Sequence, residues 1–428
     1  MVHTQRPSYE EFSRQLNTAL YPSRAISDPL HLKGRTEALR DAKQALSAPG
    51  RQLFVHGFRG VGKSSVALTA AQSLSAYAKP ALIFCSAEAT FYSIIRDICA
   101  ASLKYDPLAS EVVTQTSLGG SATLFGVGAN GELNETKKYN GAPTPTSLNE
   151  AADLIRKVAP LIDGQGRTFI IDEFDLLKDP ASHQLFGAFV KLLADSSIPA
   201  QLIFCGVAES LEEILKAHGS TFRYFHPLKL DRLKIQPCLD ILTDAEKAVG
   251  VEIEHNSKMR IARICDGFPY FVHLIAEKLL WQWFNDAEHT GMQTLPRHYE
   301  SALLDASNAA EPELRNPYDR VSHKYKLDGE IILWAVAEGD QLRKNLDMLE
   351  KDFVSIYERT PDQLKPPERL NRNQINSRLA AMKKPEYAHI LSNNGRGWYE
   401  YTEKRMRGYA RLRAAAKAVE LKSDHPLL

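Results

Sequence analysis

Gly57-Phe58-Arg59-Gly60-Val61-Gly62-Lys63-Ser64 satisfies the pattern G-x-x-x-x-G-K-[ST] at every fixed position. It follows a short apolar run, Leu53-Phe54-Val55, that reads as a buried strand, and it leads into Ser65-Val66-Ala67-Leu68-Thr69-Ala70-Ala71, which reads as a helix. A strand, a glycine loop and a helix in that order place successive backbone N–H groups around an anion, with the helix dipole behind them. The loop implies a nucleotide phosphate site built from Gly57, Gly60, Val61, Gly62, Lys63, Ser64 and Ser65. Lys63 reaches the terminal phosphates and the Ser64 hydroxyl is placed to ligate Mg²⁺.

Working outward, Phe169-Ile170-Ile171-Asp172-Glu173 is an apolar strand that ends in two carboxylates. Beside a phosphate loop, the first of these, Asp172, would hold the Mg²⁺ shell and the second, Glu173, would polarise an attacking water. The plain alternative is a solvated acidic strand end. Ala81-Leu82-Ile83-Phe84-Cys85 and Gln201-Leu202-Ile203-Phe204-Cys205 are continuous apolar runs, as in parallel strands covered on both faces. Alternating strand and helix patterns therefore predict an α/β, doubly wound parallel sheet over 31–233, after an N-terminal helical extension at 1–30.

Within that core, 106–147 turns rich in Gly, Ser, Thr and Asn, and Asn130-Gly131 is a favoured hairpin pair. An inserted hairpin or loop is expected there, with or without a partner. Past Leu233 strand patterns stop, and helices are expected around 237–249, 257–265, 269–284 and 297–309, a helical lid over 234–312. Turn residues at 311–317 read as a boundary before a C-terminal domain at 313–428. That domain has an apolar helix at 329–337, further helices at 345–357 and 371–382, and strand-like runs around Ser392-Asn393-Asn394-Gly395-Arg396-Gly397. Helices followed by a hairpin with a Gly/Arg tip read as a winged helix.

The chain has 428 residues, 44% hydrophobic and 25% charged, with a formal net charge of +1. This is the composition of a globular protein of two or three domains. No apolar stretch approaches the ~18 residues of a membrane helix, and Met1 to Pro7 lack a signal-peptide core, so no membrane partner and a cytoplasmic location are expected. Five widely spaced cysteines read as buried free thiols. The charge is uneven: between positions 369 and 422 thirteen Lys and Arg stand against four Glu, an excess of nine. The 371–382 helix is read as a recognition helix presenting Arg372, Asn373, Asn376 and Arg378 to double-stranded DNA, with Lys383, Lys384 and Arg396 on phosphates. A protein-docking face is the rival reading of the same surface.

With these parts in order, the chain resembles an AAA+ ATPase of the origin-recognition and archaeal-initiator type, and is similar to STAND-class ATPases and AAA+ transposition regulators. The resemblance implies ATP or ADP with Mg²⁺ as cofactor, ATP hydrolysis, and nucleotide-dependent homo-oligomerisation. It gives Gly34 and Arg35 a place in the box that lines the adenine side of the pocket, the alternative being a plain helix start. It makes Arg223, in Ser220-Thr221-Phe222-Arg223, the arginine that reaches a neighbouring subunit's ATP, with an ion pair as the alternative and Arg232 as the other cation in range. Pro269 falls in the G-x-P turn of the lid, Asp266-Gly267-Phe268-Pro269-Tyr270. Where relatives carry sensor residues this chain has Cys205 or Gly206, and Tyr270 and His273 replace an arginine near the turn. Slow turnover or a nucleotide switch is the consequence. A STAND-like switch docking a protein effector encoded nearby, and a transposition regulator, are the alternative functions.

Overall fold

The computed structural model describes residues 6–74, 80–105, 142–159, 167–216, 219–393, 395 and 397–422. They fall into two compact units, each taken by itself below. One comprises Ala25–Gly57 and Lys63–Asp231; the other comprises the residues before Ala25, the loop tip Phe58–Gly62 and the residues from Arg232 on.

The first unit is a five-stranded parallel sheet of β1 (Gln52–His56), β2 (Ala81–Phe84), β3 (Arg167–Asp172), β4 (Ala200–Gly206) and β5 (Phe225–Lys229), in the order β2-β3-β4-β1-β5. Parallel neighbours need crossover helices, and these cover the sheet. That is why β1, β3 and β4 are apolar runs buried almost throughout rather than alternating. Phe54 and Phe204 stack at 6.0 Å between neighbouring strands, and Phe174 meets Phe204 edge-on at 5.2 Å. Phe91, Phe186 and Phe189 from the covering helices complete the cluster. The doubly wound sheet is as expected. Most of the expected insertion, 106–141, lies outside the described residues; at its end Ser147 caps the Leu148–Val158 helix by accepting the Glu150 N–H.

The second unit is helical. Ser8 caps the Tyr9–Ala19 helix, and Phe12 from that helix stacks on Phe284 at 4.4 Å and meets Trp281 at 5.0 Å. The four helices expected after Leu233 are Ile235–Val249, His255–Ile264, Pro269–Asn285 and Pro296–Ala309. The turn residues read at 311–317 form the start of a helix, Pro312–Ala337. Pro312 occupies its first position, where a missing N–H costs nothing, and the actual break comes at Lys326, whose φ of 52° leaves the helical region. Helices Leu346–Arg359 and Arg372–Ala381 follow. Then come β7 (Leu391–Ser392) and β8 (Trp398–Tyr401), paired antiparallel, and the Met406–Ala415 helix. A third strand, β6 (Lys344–Asn345), pairs with β8 and was not legible in the sequence, because two residues carry no periodicity.

Candidate nucleotide site

β1 ends at His56 and the loop begins with Gly57. Gly57, Gly60 and Gly62 have φ of 152°, 80° and 95°, values that a side chain would strain, so the glycines of the motif are dictated by the backbone path. The Lys63–Leu74 helix starts at the motif lysine, whose Nζ donates to the Gly57 carbonyl at 3.1 Å. Register then places the acid. Phe54, Phe204 and Ile171 align across β1, β4 and β3, so Asp172, one residue on, lies two strands from Val55. At the usual inter-strand spacing that is about 10 Å along the carboxyl edge of the sheet. Loop and carboxylate therefore share the edge where open α/β sheets hold ligands.

Asp172 is 4% exposed, and its Oδ1 accepts the Glu173 N–H at 2.8 Å. Glu173 sits at φ 54°, ψ 36°, a left-handed conformation unfavourable for a branched-out carboxylate residue, and its carboxylate makes no hydrogen bond or ion pair among the described residues. Strain and an unspent carboxylate coincide at the position expected to orient water. Burial and the Asp172 charge push the Cys85 thiol up to about 12, and Cys205, fully buried, is raised by the same two causes. Both thiols stay protonated at neutral pH and offer no nucleophile. His56, just before the loop, is held below the ordinary imidazole range by burial first and then by Lys229, so it is neutral beside the loop. The sequence reading missed it.

Other predicted residues are spent differently. The Ser65 hydroxyl oxygen accepts the Ile26 N–H at 3.0 Å, and Thr69 Oγ1 donates to the Ile26 carbonyl at 3.2 Å, so Ser65 stitches the 25–27 segment to the helix. Gly34 has φ 67°, as a turn before the Thr36–Ser47 helix requires. Arg35 is buried and its Nη2 donates to the Asp231 carbonyl at 2.8 Å. At the end of β4, Gly206 aligns with His56, and no polar side chain stands at that step. Arg223 is exposed, lies over the Tyr224 ring at 4.9 Å and donates to its hydroxyl, which in turn donates to Asp195.

In the second unit Arg232 is committed: it pairs at 2.7 Å with Asp266, whose side chain is fully buried. Arg407 and Arg411 reach the same carboxylate at 2.8 and 3.8 Å. Burial alone would raise the Asp266 carboxyl, and the three guanidiniums reverse this and hold it below the ordinary range. Gly267, at φ 74°, admits no side chain, since a Cβ would lie 2.4 Å from the Leu233 carbonyl oxygen. Pro269 is the first residue of the helix that follows. His273 is 3% exposed and its Nδ1 accepts the Tyr21 N–H at 3.3 Å, so its ring is packed within the helical unit.

The basic C-terminal stretch is altered most by the structure. Arg372 pairs with Asp347 and Glu350 at 2.5 Å each, and Arg378, half-buried, pairs with Asp328 at 2.8 Å and lies over Tyr325. Arg378 therefore packs toward the Pro312–Ala337 helix rather than pointing outward. Asn376 accepts the Tyr399 hydroxyl and Lys383 lies over the Tyr399 ring, while Asn373 and Lys384 are exposed. Arg396 lies outside the described residues. In all, eight of the thirteen cations (372, 378, 404, 405, 407, 411, 413 and 417) are ion-paired.

Comparison with known proteins agrees with the sheet unit. The family model of the AAA ATPase domain matches residues 31–204. The chain is similar in structure to the Walker-type ATPase paby2304 of Pyrococcus abyssi, with a TM-score of 0.50 at 15% identity over 91% of this chain and 98% of that one. It is also matched with the Aeropyrum pernix ORC2 protein (TM-score 0.48, 12% identity, 95% and 98% covered). The third is Cdc6p of Pyrobaculum aerophilum (0.45, 14%, 95% and 99%). At 15% identity the likeness to the Pyrococcus abyssi ATPase speaks for the fold alone. No curated protein matches the sequence. No described helix is long and apolar enough to cross a membrane.

Proposed function

We propose that this chain, which carries an AAA ATPase domain, binds ATP at the 57–64 loop and hydrolyses it slowly with Mg²⁺. The observation that carries the reading is the shared sheet edge: a phosphate loop after β1 with the Asp172–Glu173 pair two strands away. Ser64 and the remaining Asp172 oxygen are hard oxygen donors, the set Mg²⁺ takes when phosphates and water complete its shell. When bound, the ion neutralises charge on the phosphates. Lys63 exchanges the Gly57 carbonyl for phosphate oxygens, Glu173 orients the attacking water, and the loop N–H groups hold the phosphates in line. The absence of a polar side chain at Cys205 and Gly206 favours slow turnover. Arg223, the exposed cation of the two in range, completes a neighbouring subunit's site in a homo-oligomer.

The two C-terminal helices, Leu346–Arg359 and Arg372–Ala381, with the β7–β8 hairpin, support a winged-helix module after a helical lid. The initiator-type resemblance supports double-stranded DNA as its ligand in the cytoplasm, met through Asn373, Lys383, Lys384 and Arg396. A second reading, a STAND-like switch whose module docks a protein effector, is favoured by the internal pairing of most of the module's cations. Calorimetric titration of ATP with Mg²⁺ tests the site. Lys63→Ala is expected to lose binding, and Glu173→Gln to bind ATP without turnover. Full turnover in both variants would remove the assignment. ADP retained through purification together with no duplex affinity would select the second reading.

A further inference from the structure

The helical unit brings two thiols into contact. Cys238 lies near the start of the Ile235–Val249 helix and Cys265 caps the end of the His255–Ile264 helix, and both are fully buried. Their Sγ atoms stand 3.5 Å apart, and the Cys265 S–H has the Ala262 carbonyl oxygen at 3.1 Å as its other acceptor. The surrounding backbone holds the two in register. Just past Cys265 the chain turns through Asp266 at φ 51° and Gly267 at φ 74°. The Gly267 carbonyl accepts the N–H of Leu233, which lies just before the Ile235–Val249 helix, at 2.8 Å. Asp266 fixes the same turn through Arg232, Arg407 and Arg411. The sulfurs therefore meet at a junction whose two sides are already tied together without them.

Closing from 3.5 Å to the ~2.05 Å of a disulfide moves the sulfurs together by about 1.5 Å, shared between two side chains. Among the described residues no group of three His, Cys, Asp or Glu could hold a metal ion, so a metal does not account for the pair. Cys85, Cys99 and Cys205 belong to the other unit, where burial raises all three thiols, Cys85 and Cys99 to about 12. Those three stay protonated at neutral pH and are poor nucleophiles. In a reducing compartment a contacting pair remains as thiols until an oxidant rises.

We propose that Cys238 and Cys265 are a redox-modification site whose oxidant is a peroxide, and that they close to a disulfide stapling the start of the Ile235–Val249 helix to the Asp266–Gly267 turn. One sulfur attacks the peroxide O–O bond, which breaks to give a sulfenic acid and one water. The second sulfur then displaces the sulfenic oxygen: the S–S bond forms, the S–O bond breaks and a second water leaves. The two sulfurs together lose two electrons, hydrogen peroxide gains them, and the two thiol protons leave in the waters. Because both side chains are shielded, oxidation proceeds through local opening of the junction and is slow. The bond closes a separation of 27 residues, which restricts the unfolded chain and stabilises the helical unit. None of this requires the phosphate loop to be filled.

The test exposes the full chain, purified reduced, to hydrogen peroxide at temperatures stepped up to the onset of melting. Remaining thiols are counted after unfolding in acid, peptides are mapped without reductant, and melting is recorded before and after. The expected result is a fall from five thiols to three, with a linked peptide pair containing Cys238 and Cys265, lighter by two hydrogens than the separate thiol peptides. The melting temperature is expected to rise by roughly 5–15 °C and to return with dithiothreitol. Cys238→Ala is expected to lose both the linked peptide and the rise in melting temperature. Five surviving thiols, recovery of either sulfur mainly as sulfinic acid, or linkage to another cysteine or to a second chain would overturn the proposal. So would the same rise in Cys238→Ala. If that variant does not fold, the peptide map of the unaltered chain decides by itself.

Discussion

If the C-terminal module binds duplex DNA, the number of cations it has to spend decides how binding answers to salt. Thirteen stand between 369 and 422, but eight are ion-paired within the protein, and Arg396 lies outside the described residues. Arg369, Lys383, Lys384 and Lys422 remain, and the proposed interface adds Arg396 as a fifth. Each phosphate neutralised contributes about −0.9 to the slope of log K against log salt. Five cations give a slope of about −4.5 and a loss of about 500-fold between 50 and 200 mM salt. All thirteen would give a slope of about −12 and a loss of about ten million-fold. The perturbation is Lys383→Ala with Lys384→Ala, which should bring the slope to about −2.7 and the loss to about 40-fold. Arg372→Ala should leave the slope near its original value, because that charge is already met by Asp347 and Glu350. Fluorescence anisotropy with a labelled duplex at 50, 100 and 200 mM KCl reads all three proteins. A slope steeper than about −7, or equal slopes for the unaltered chain and the double variant, would refute the count. Salt-insensitive binding would refute an electrostatic interface.

Three further outcomes follow from the geometry. Asp266→Asn keeps the side-chain shape and tolerates φ 51°, yet leaves Arg407 and Arg411 buried without a counter-charge; a loss of about 3–5 kcal/mol is expected. For a unit of about 200 residues this lowers the melting temperature by roughly 6–20 °C in differential scanning fluorimetry. Because the folded carboxyl titrates below its unfolded value of 3.8, the stabilisation is complete above that pH and is lost as pH falls through the folded value. The melting gap between the two proteins should therefore be constant from pH 5 to 8 and close below about pH 4; a gap that widens in acid would contradict the assignment. Gly267→Ala forces a Cβ onto the Leu233 carbonyl at a left-handed φ and should cost about 2 kcal/mol or more, read by urea denaturation. Arg223→Ala, at an exposed position whose side chain bonds only the half-buried Tyr224, should leave stability within about 0.5 kcal/mol while lowering ATPase activity only at concentrations where the chain self-associates; an equal loss in dilute monomer would refute the finger role.

The phosphate loop, the acidic strand end and the parallel sheet were legible in the sequence because each is a local demand. Glycines at 57, 60 and 62 answer backbone angles set within a few residues, and β1, β3 and β4 show as apolar runs because both their faces are covered. Periodicity likewise located the lid helices. What a linear reading took for a basic surface was a count over neighbours in the chain, and charge is neutralised by neighbours in space. Arg407 finds Asp266 141 residues away, Arg405 finds Glu311 94 residues away, and Arg372 finds Glu350 22 residues away. Likewise Ser65 looked like part of the phosphate loop until the 25–27 segment folded onto it and took its hydroxyl. The sequence alone thus determined that a nucleotide fold exists and where its loop lies, since steric demands act along the backbone. Only the tertiary structure decided which charges are spent and which are left for a ligand, since Coulomb attraction and hydrogen bonding act through space between residues that folding brings together.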